Sequence, residues 1–294
     1  MKNTKPFWKV IYILLIVGLV ITIIGALMGG IKGTRVDIND YNIGVIDRVI
    51  NYIVDDNENI NLDFNNNYEI NEGDIEKTYK NEKFDSLNLT VGGARIEVVE
   101  SENDELIISS KNADRVQYYV NGETVFIKTL FKDNFMNNFD ENVLTVELPN
   151  DKSYDNFNIT LGAGRMEIEE VVAKSMNFKI GAGSCEVLRG HTENLNLELG
   201  MGEFDYNGRV ENDAKINCAM GSVKIKLDEE QDDYSYDLEC ALGNITYGDF
   251  SISGIGSERK GGSGESIIDV ECGMGDVLID FNGSQDNNNE EIKL

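Results

Sequence analysis

The chain has 294 residues with 41% hydrophobic content, 29 glycines and 2 prolines, a composition suited to many strands joined by tight turns. Its formal charge is -27, from 53 acidic against 26 basic residues. Such a surface lacks the basic footprint needed to hold nucleic acid, to lie on an anionic membrane or to grip an acidic polysaccharide. Solubility accounts for the charge, and attraction of cations or basic partners is compatible with it.

In chain order, residues 1–9 read as a basic cytoplasmic tail carrying Lys2, Lys5 and Lys9. The following run, VIYILLIVGLVITIIGALMGGI from Val10 to Ile31, has no charged residue. It meets the length of about 20 apolar residues that a membrane-crossing helix needs. Trp8 and Tyr12 stand where an interfacial aromatic belt is expected. A cleaved signal peptide has an apolar core of only about 7–15 residues ending in small residues. Ala26-Leu27-Met28 is a poor match to such a site, so residues 10–31 read as an uncleaved anchor. Three lysines precede the run, while Lys32 and Arg35 follow it. The positive-inside rule then gives a single-pass protein of the cell membrane with its N-terminus inside and its C-terminal domain extracytoplasmic.

Residues 32–83 read as a juxtamembrane connector, with Ile43, Ile46, Val49, Ile50 and Ile53 on one face of a short amphipathic helix. A unit LNLTVGGARIEV begins at Leu87. Between 102 and 153 the segments ELIISS, RVQYYV, TVFIKT and VLTVELP predict four strands, with Asn121-Gly122 as a hairpin turn. This section is an insertion or a cap. Four units then start 19 residues apart: FNITLGAGRMEI at Phe157, MNFKIGAGSCEV at Met176, LNLELGMGEFDY at Leu195 and AKINCAMGSVKI at Ala214. YDLECALGNITY from Tyr236 and IIDVECGMGDVLI from Ile267 follow at wider spacing. The stretch SISGIGSERKGGSGE (251–265) reads as a flexible loop, and 283–294 as a disordered tail.

Within the unit at Phe157, apolar or small residues fall at 157, 159, 161 and 163 and then at 166 and 168. Period two marks a strand with one buried face, and the step of three across Gly164 marks a corner. The same step separates Met201 from Phe204, Met220 from Val223, Leu242 from Ile245 and Met274 from Val277. Residues 84–282 are therefore expected to form an all-β, single-stranded β-helix or β-solenoid of about seven units of 19 residues. Its buried ladder is expected to run Leu161, Ile180, Leu199, Cys218, Cys240, Cys272. A β-sandwich also has short strands and many turns, but a fixed 19-residue period with a fixed corner is hard to build in one.

The segment LTVELPNDKSYDNFNITLGAGRMEIEE, followed by units with apolar residues flanking a G-x-G corner, resembles the bacterial DUF4097 family, over roughly residues 84–282. The family is related to a group labelled adhesins. The resemblance implies a right-handed β-helix-like fold in a membrane-anchored or secreted protein. It implies no enzymatic activity and supplies no catalytic residues.

Candidate chemistry is sparse. Cys218, Cys240 and Cys272 share the inward column and Cys185 takes the inward place of Met166 and Phe204, so all four are expected to fill the core. Neighbouring rungs lie within disulfide range, but side chains that point the same way suit a bridge poorly. The absence of Cys-x-x-Cys spacing speaks against zinc. The pairs Gly162/Gly164, Gly181/Gly183 and Gly200/Gly202 lead into strands, not into the helix a nucleotide loop requires. Calcium at Asp228–Asp233 is a side hypothesis, because the Gly- and Asp-dense nonapeptide of calcium-binding rolls is missing. His191, the single histidine, follows Gly190 at an inter-unit turn. No catalytic, cofactor-binding or metal residue is assigned, and no cofactor is expected. The expected function is that of a non-enzymatic envelope-binding or scaffold protein with a protein or cell-wall polymer as partner, self-association remaining open. A regulatory component of an envelope-stress or membrane complex is the alternative, and a carbohydrate-active β-helix enzyme the second.

Overall fold

The computed structural model describes residues 68–282 except 69, 80–83, 103–104, 132–141, 151 and 255. The expected tail (1–9), membrane helix (10–31), amphipathic helix (43–53) and C-terminal tail (283–294) lie outside the described residues.

The described chain is all-β. Its N-terminal part comprises β1 (Ile70–Tyr79), β2 (Ser86–Glu100), β3 (Leu106–Asn121), β4 (Thr124–Leu130) and β5 (Val143–Leu148). The repeat region comprises β6 (Ser153–Leu199), β7 (Glu203–Val210), β8 (Ala214–Cys218) and β9 (Ser222–Leu227). Then come β10 (Tyr234–Cys240), β11 (Asn244–Tyr247), β12 (Phe250–Ser253), β13 (Ser257–Gly262), β14 (Ser266–Cys272) and β15 (Asp276–Phe281). Each repeat makes one rung: a first limb, a corner and a second limb. Rungs pair in parallel, Leu87 with Phe157, Leu195 with Ala214, and Phe204 with Val223. Backbone hydrogen bonds continue through the corners, with Gly200 N donating to Ile180 O at 2.8 Å and Met201 N to Gly181 O at 2.8 Å. Corners therefore leave few backbone groups without partners.

The period-two pattern sends alternate side chains inward. Leu87, Phe157, Met176, Leu195 and Ala214 form one buried column, and Ile96, Met166, Cys185, Phe204 and Val223 another. A ring fills the space beside a short neighbour where Phe204 lies on Cys185 and tilts against Phe178 at 5.0 Å. The residue before each corner glycine departs from expectation. Ala163, Met201, Met220, Leu242 and Met274 are only partly buried, because the chain is already turning outward there.

The rungs are not stacked in chain order at either end. Cys218 pairs with Cys272, and Cys272 with Cys240, so the rung of β14 and β15 sits between that of β8 and β9 and that of β10 and β11. The expected ladder order Cys218, Cys240, Cys272 is corrected accordingly. The cause is the segment expected to be a loop at 251–265. β12 returns antiparallel along β11 and β13 antiparallel along β10, occupying the outer edge of that rung. The chain then finds its open edges in the gap behind it and fills them with β14 and β15. At the other end, β4 and β5 together form a rung beneath the two limbs of β2. β3 crosses that rung antiparallel, fusing two strands expected to be separate, and β1 pairs antiparallel with β3. Gly122, at φ +64, turns β3 into β4 at the expected hairpin. Antiparallel strands thus terminate both ends of a parallel stack.

Candidate functional site

The outer face of the first limbs is built from the residues between the buried ones. Asn88, Asn158, Asn177 and Asn196 occupy one column of successive rungs and hydrogen-bond along it. Asn158 Nδ2 donates to Asn88 Oδ1 at 2.7 Å, Asn177 Nδ2 to Asn158 Oδ1 at 2.7 Å, and Asn196 Nδ2 to Asn177 Oδ1 at 2.9 Å. The column continues into rings: Phe126 pairs with Asn88, Tyr119 stacks on Phe126 at 4.8 Å, and Tyr68 on Tyr119 at 4.3 Å. Burial, and then the neighbouring Tyr68, raises the Tyr119 hydroxyl above its ordinary pKa. On one side of the amides lie Ser86, Asn156, Ser175 and Asn194; on the other lie Thr90 and Thr160. The Thr90 and Thr160 column continues as Lys179 and Glu198, which pair at 3.6 Å, while Lys128 lies beside Thr90 and Lys215 beside Asn196.

The second limbs carry the opposite character. Glu97, Glu167, Glu186 and Asp205 share a column, followed by Lys224. Arg95 pairs with Glu97 at 2.6 Å, and Arg189 reaches Glu170 at 2.7 Å and Glu169 at 3.4 Å. His191 Nε2 contacts Glu211 Oε1 at 2.8 Å on the surface. In the Asp228–Asp233 segment, Asp233 accepts from Glu230 N at 3.1 Å and Asp228 from Asn282 Nδ2 at 2.8 Å. Those two carboxylates serve a local turn and a neighbouring rung.

Cys185, Cys218, Cys240 and Cys272 are free and buried, as expected from their inward phase. The hydrogen bond between the Cys218 and Cys272 thiols lowers the first and raises the second, while burial pushes Cys240 up to about 11 and Cys185 higher still. Cys272 Sγ also donates to Gly275 O at 3.2 Å. Cys185, Cys240 and Cys272 are thus held protonated, and all four thiols lie out of solvent, where they are poor nucleophiles.

A cavity of about 210 Å³ lies against Glu100, Pro149, Lys152, Tyr154 and Glu170. It is smaller than the roughly 300–1,000 Å³ of ordinary small-molecule sites. The extended faces, not this recess, carry the regular chemistry. The sequence reading missed the amide column, although its signal was present: Asn recurs as the second residue of the units at 87, 157, 176 and 195.

Among solved structures, the chain is similar to a protein from Clostridium sporogenes provisionally described as a cell adhesion protein. Identity is 14% and TM-score 0.39, over 72% of this chain and 100% of that one. A Bacteroides fragilis protein provisionally described as an adhesin matches at 16% identity and TM-score 0.40, over 71% and 98% of the two chains. A Parabacteroides distasonis protein provisionally described as lipid-binding matches at 17% identity and TM-score 0.34, over 71% and 97%. No curated protein matches the chain. Over residues 150–280 the chain fits the family model described as Toastrack DUF4097, which the repeat units resemble.

Proposed function

We propose that this protein is a non-enzymatic, adhesin-like or scaffold component of the cell envelope. Residues 10–31 anchor it in the membrane, and a solenoid of about seven 19-residue units stands outside the cytoplasm. The observation that supports this reading is the outer surface itself. Parallel rungs about 4.8 Å apart repeat the same outward side chains in straight columns, which suits an extended partner better than a small molecule. The acidic second-limb face keeps the domain soluble and repels anionic polymers. The test uses full-length protein in detergent micelles over immobilised envelope fractions. Saturable retention by at least one fraction is expected, and no saturable binding to any fraction contradicts the reading.

A further inference from the structure

We infer that the sparsely charged first-limb strip is a binding face for a linear, uncharged glycan; this rests on the envelope-binding reading and names its ligand class. On a chain of net charge -27, four successive rungs present amides at Asn88, Asn158, Asn177 and Asn196; beside them run Thr90 and Thr160 and then Lys179 and Glu198, whose opposite charges pair. An amide has two donors and an oxygen with two lone pairs, and the ladder uses one donor and one acceptor of each interior Asn. Each interior amide oxygen therefore keeps a second lone pair, and Asn158 keeps a second donor, for a ligand. Asn177 directs its second donor to Ser175 Oγ at 3.2 Å, so the hydroxyl column is tied to the same network.

The ladder also fixes the amide rotamers before any ligand arrives, which lowers the ordering cost of binding. At one end the stacked Tyr68, Tyr119 and Phe126 extend the column as an apolar shelf. Sugar rings bear hydroxyl or acetamido groups around an apolar body, and they match amides followed by rings. Charge selects further. A polyanion would be repelled by the surrounding carboxylates, and a polycation would be drawn to the Glu97–Asp205 column instead. A neutral polymer meets neither obstacle on the strip.

The test titrates full-length protein in detergent micelles with N-acetylglucosamine hexamer and with cellohexaose. Saturable binding of at least one, little affected by salt, is expected. Thr160→Glu places a charge on the strip beside Lys179 without touching the ladder, and should weaken binding about tenfold or more while leaving the melting temperature unchanged. Asn177→Leu combined with Asn196→Leu should do the same to binding, with any loss of folding read separately by melting. Ser184→Glu and Ser222→Glu, on the other limb, should leave binding unchanged. Binding of neither glycan, or equal binding by Thr160→Glu, overturns the inference. Envelope retention that survives Thr160→Glu, or that is abolished by protease treatment of the envelope fraction, also sinks the glycan strip and leaves the envelope-binding reading standing. Absence of all envelope retention contradicts that broader reading and not the glycan titration.

Discussion

At Gly202, a β-carbon would collide with the backbone oxygen of Gly183 on the rung below, and at Gly183 it would lie 2.5 Å from Gly164 O. Only Gly164 of these three has a positive φ, +127. The need for glycine at the corner was legible in the repeat. Whether positive φ or close backbone approach demands it was not, because a single unit contains no neighbour; the structure shows close approach at all three. Gly202→Ala is expected to cost about 1–3 kcal/mol, as overpacking does in a dense interior. Gly73→Ala, with open space around it despite φ +79, should cost less in the same denaturant titration. Equal costs would mean that strain at the residue, not contact between rungs, sets the requirement.

The thiols make a second prediction at this scale. Burial raises Cys240 from 9.0 to about 11 and also raises Cys185, Tyr206, Tyr234 and Tyr247. The unfolded chain loses these protons first, so their contribution is fully present below pH 9 and is lost as pH rises toward 11. Unfolding free energy should fall by several kcal/mol across that window, about 1.4 kcal/mol for each unit by which a buried group is raised. A flat profile would contradict the buried placement. A thiol-reactive dye should find no accessible Cys in the folded chain and all 4 after denaturation.

Among the elements, β14 and β15 are central strands laid down last. Each has a parallel partner on both edges, β8 and β10 for β14, and β9 and β11 for β15. Removing residues 266–294 should therefore do more than shorten the stack. It strips β10 to β13 of their connection to the rest, so hydrogen exchange is expected to show loss of protection throughout 234–262. Retained protection there would mean that those strands pair directly with β8 and β9. The individual rungs were legible, because alternation and the corner lie within each unit. Their order was not, since Val270 fits beside Ile216 or Leu238 equally well by pattern. The strands β12 and β13 were hidden by composition. SERKGG has little strand propensity, and its pairing with β10 is carried by backbone hydrogen bonds to an edge that the sequence does not reveal.

For the described molecule as a whole, the sequence pattern gives a stack with a wet outside and a dry inside, and the structure divides the outside into two unlike faces. One first-limb strip is mainly amide and hydroxyl; the second limbs carry the acidic column Glu97, Glu167, Glu186 and Asp205. Like-charge columns such as Glu97, Glu167, Glu186 and Asp205 repel one another along the stack, which salt screens. Both faces, and the closure of the ends, depend on which rung lies beside which. The most direct measurement is oxidative cross-linking in a chain whose four native Cys are replaced by Ala. Lys224→Cys with Leu278→Cys joins residues paired on adjacent rungs, within the roughly 4.4–6.8 Å that a disulfide spans, and these exposed side chains can rotate toward each other as the packed core thiols cannot. Lys224→Cys with Thr246→Cys joins residues separated by the intervening rung, beyond about 7 Å. The account predicts a bridge in the first pair and none in the second. A bridge in the second pair alone would show that these rungs stack in chain order, and the account of the C-terminal end would fall.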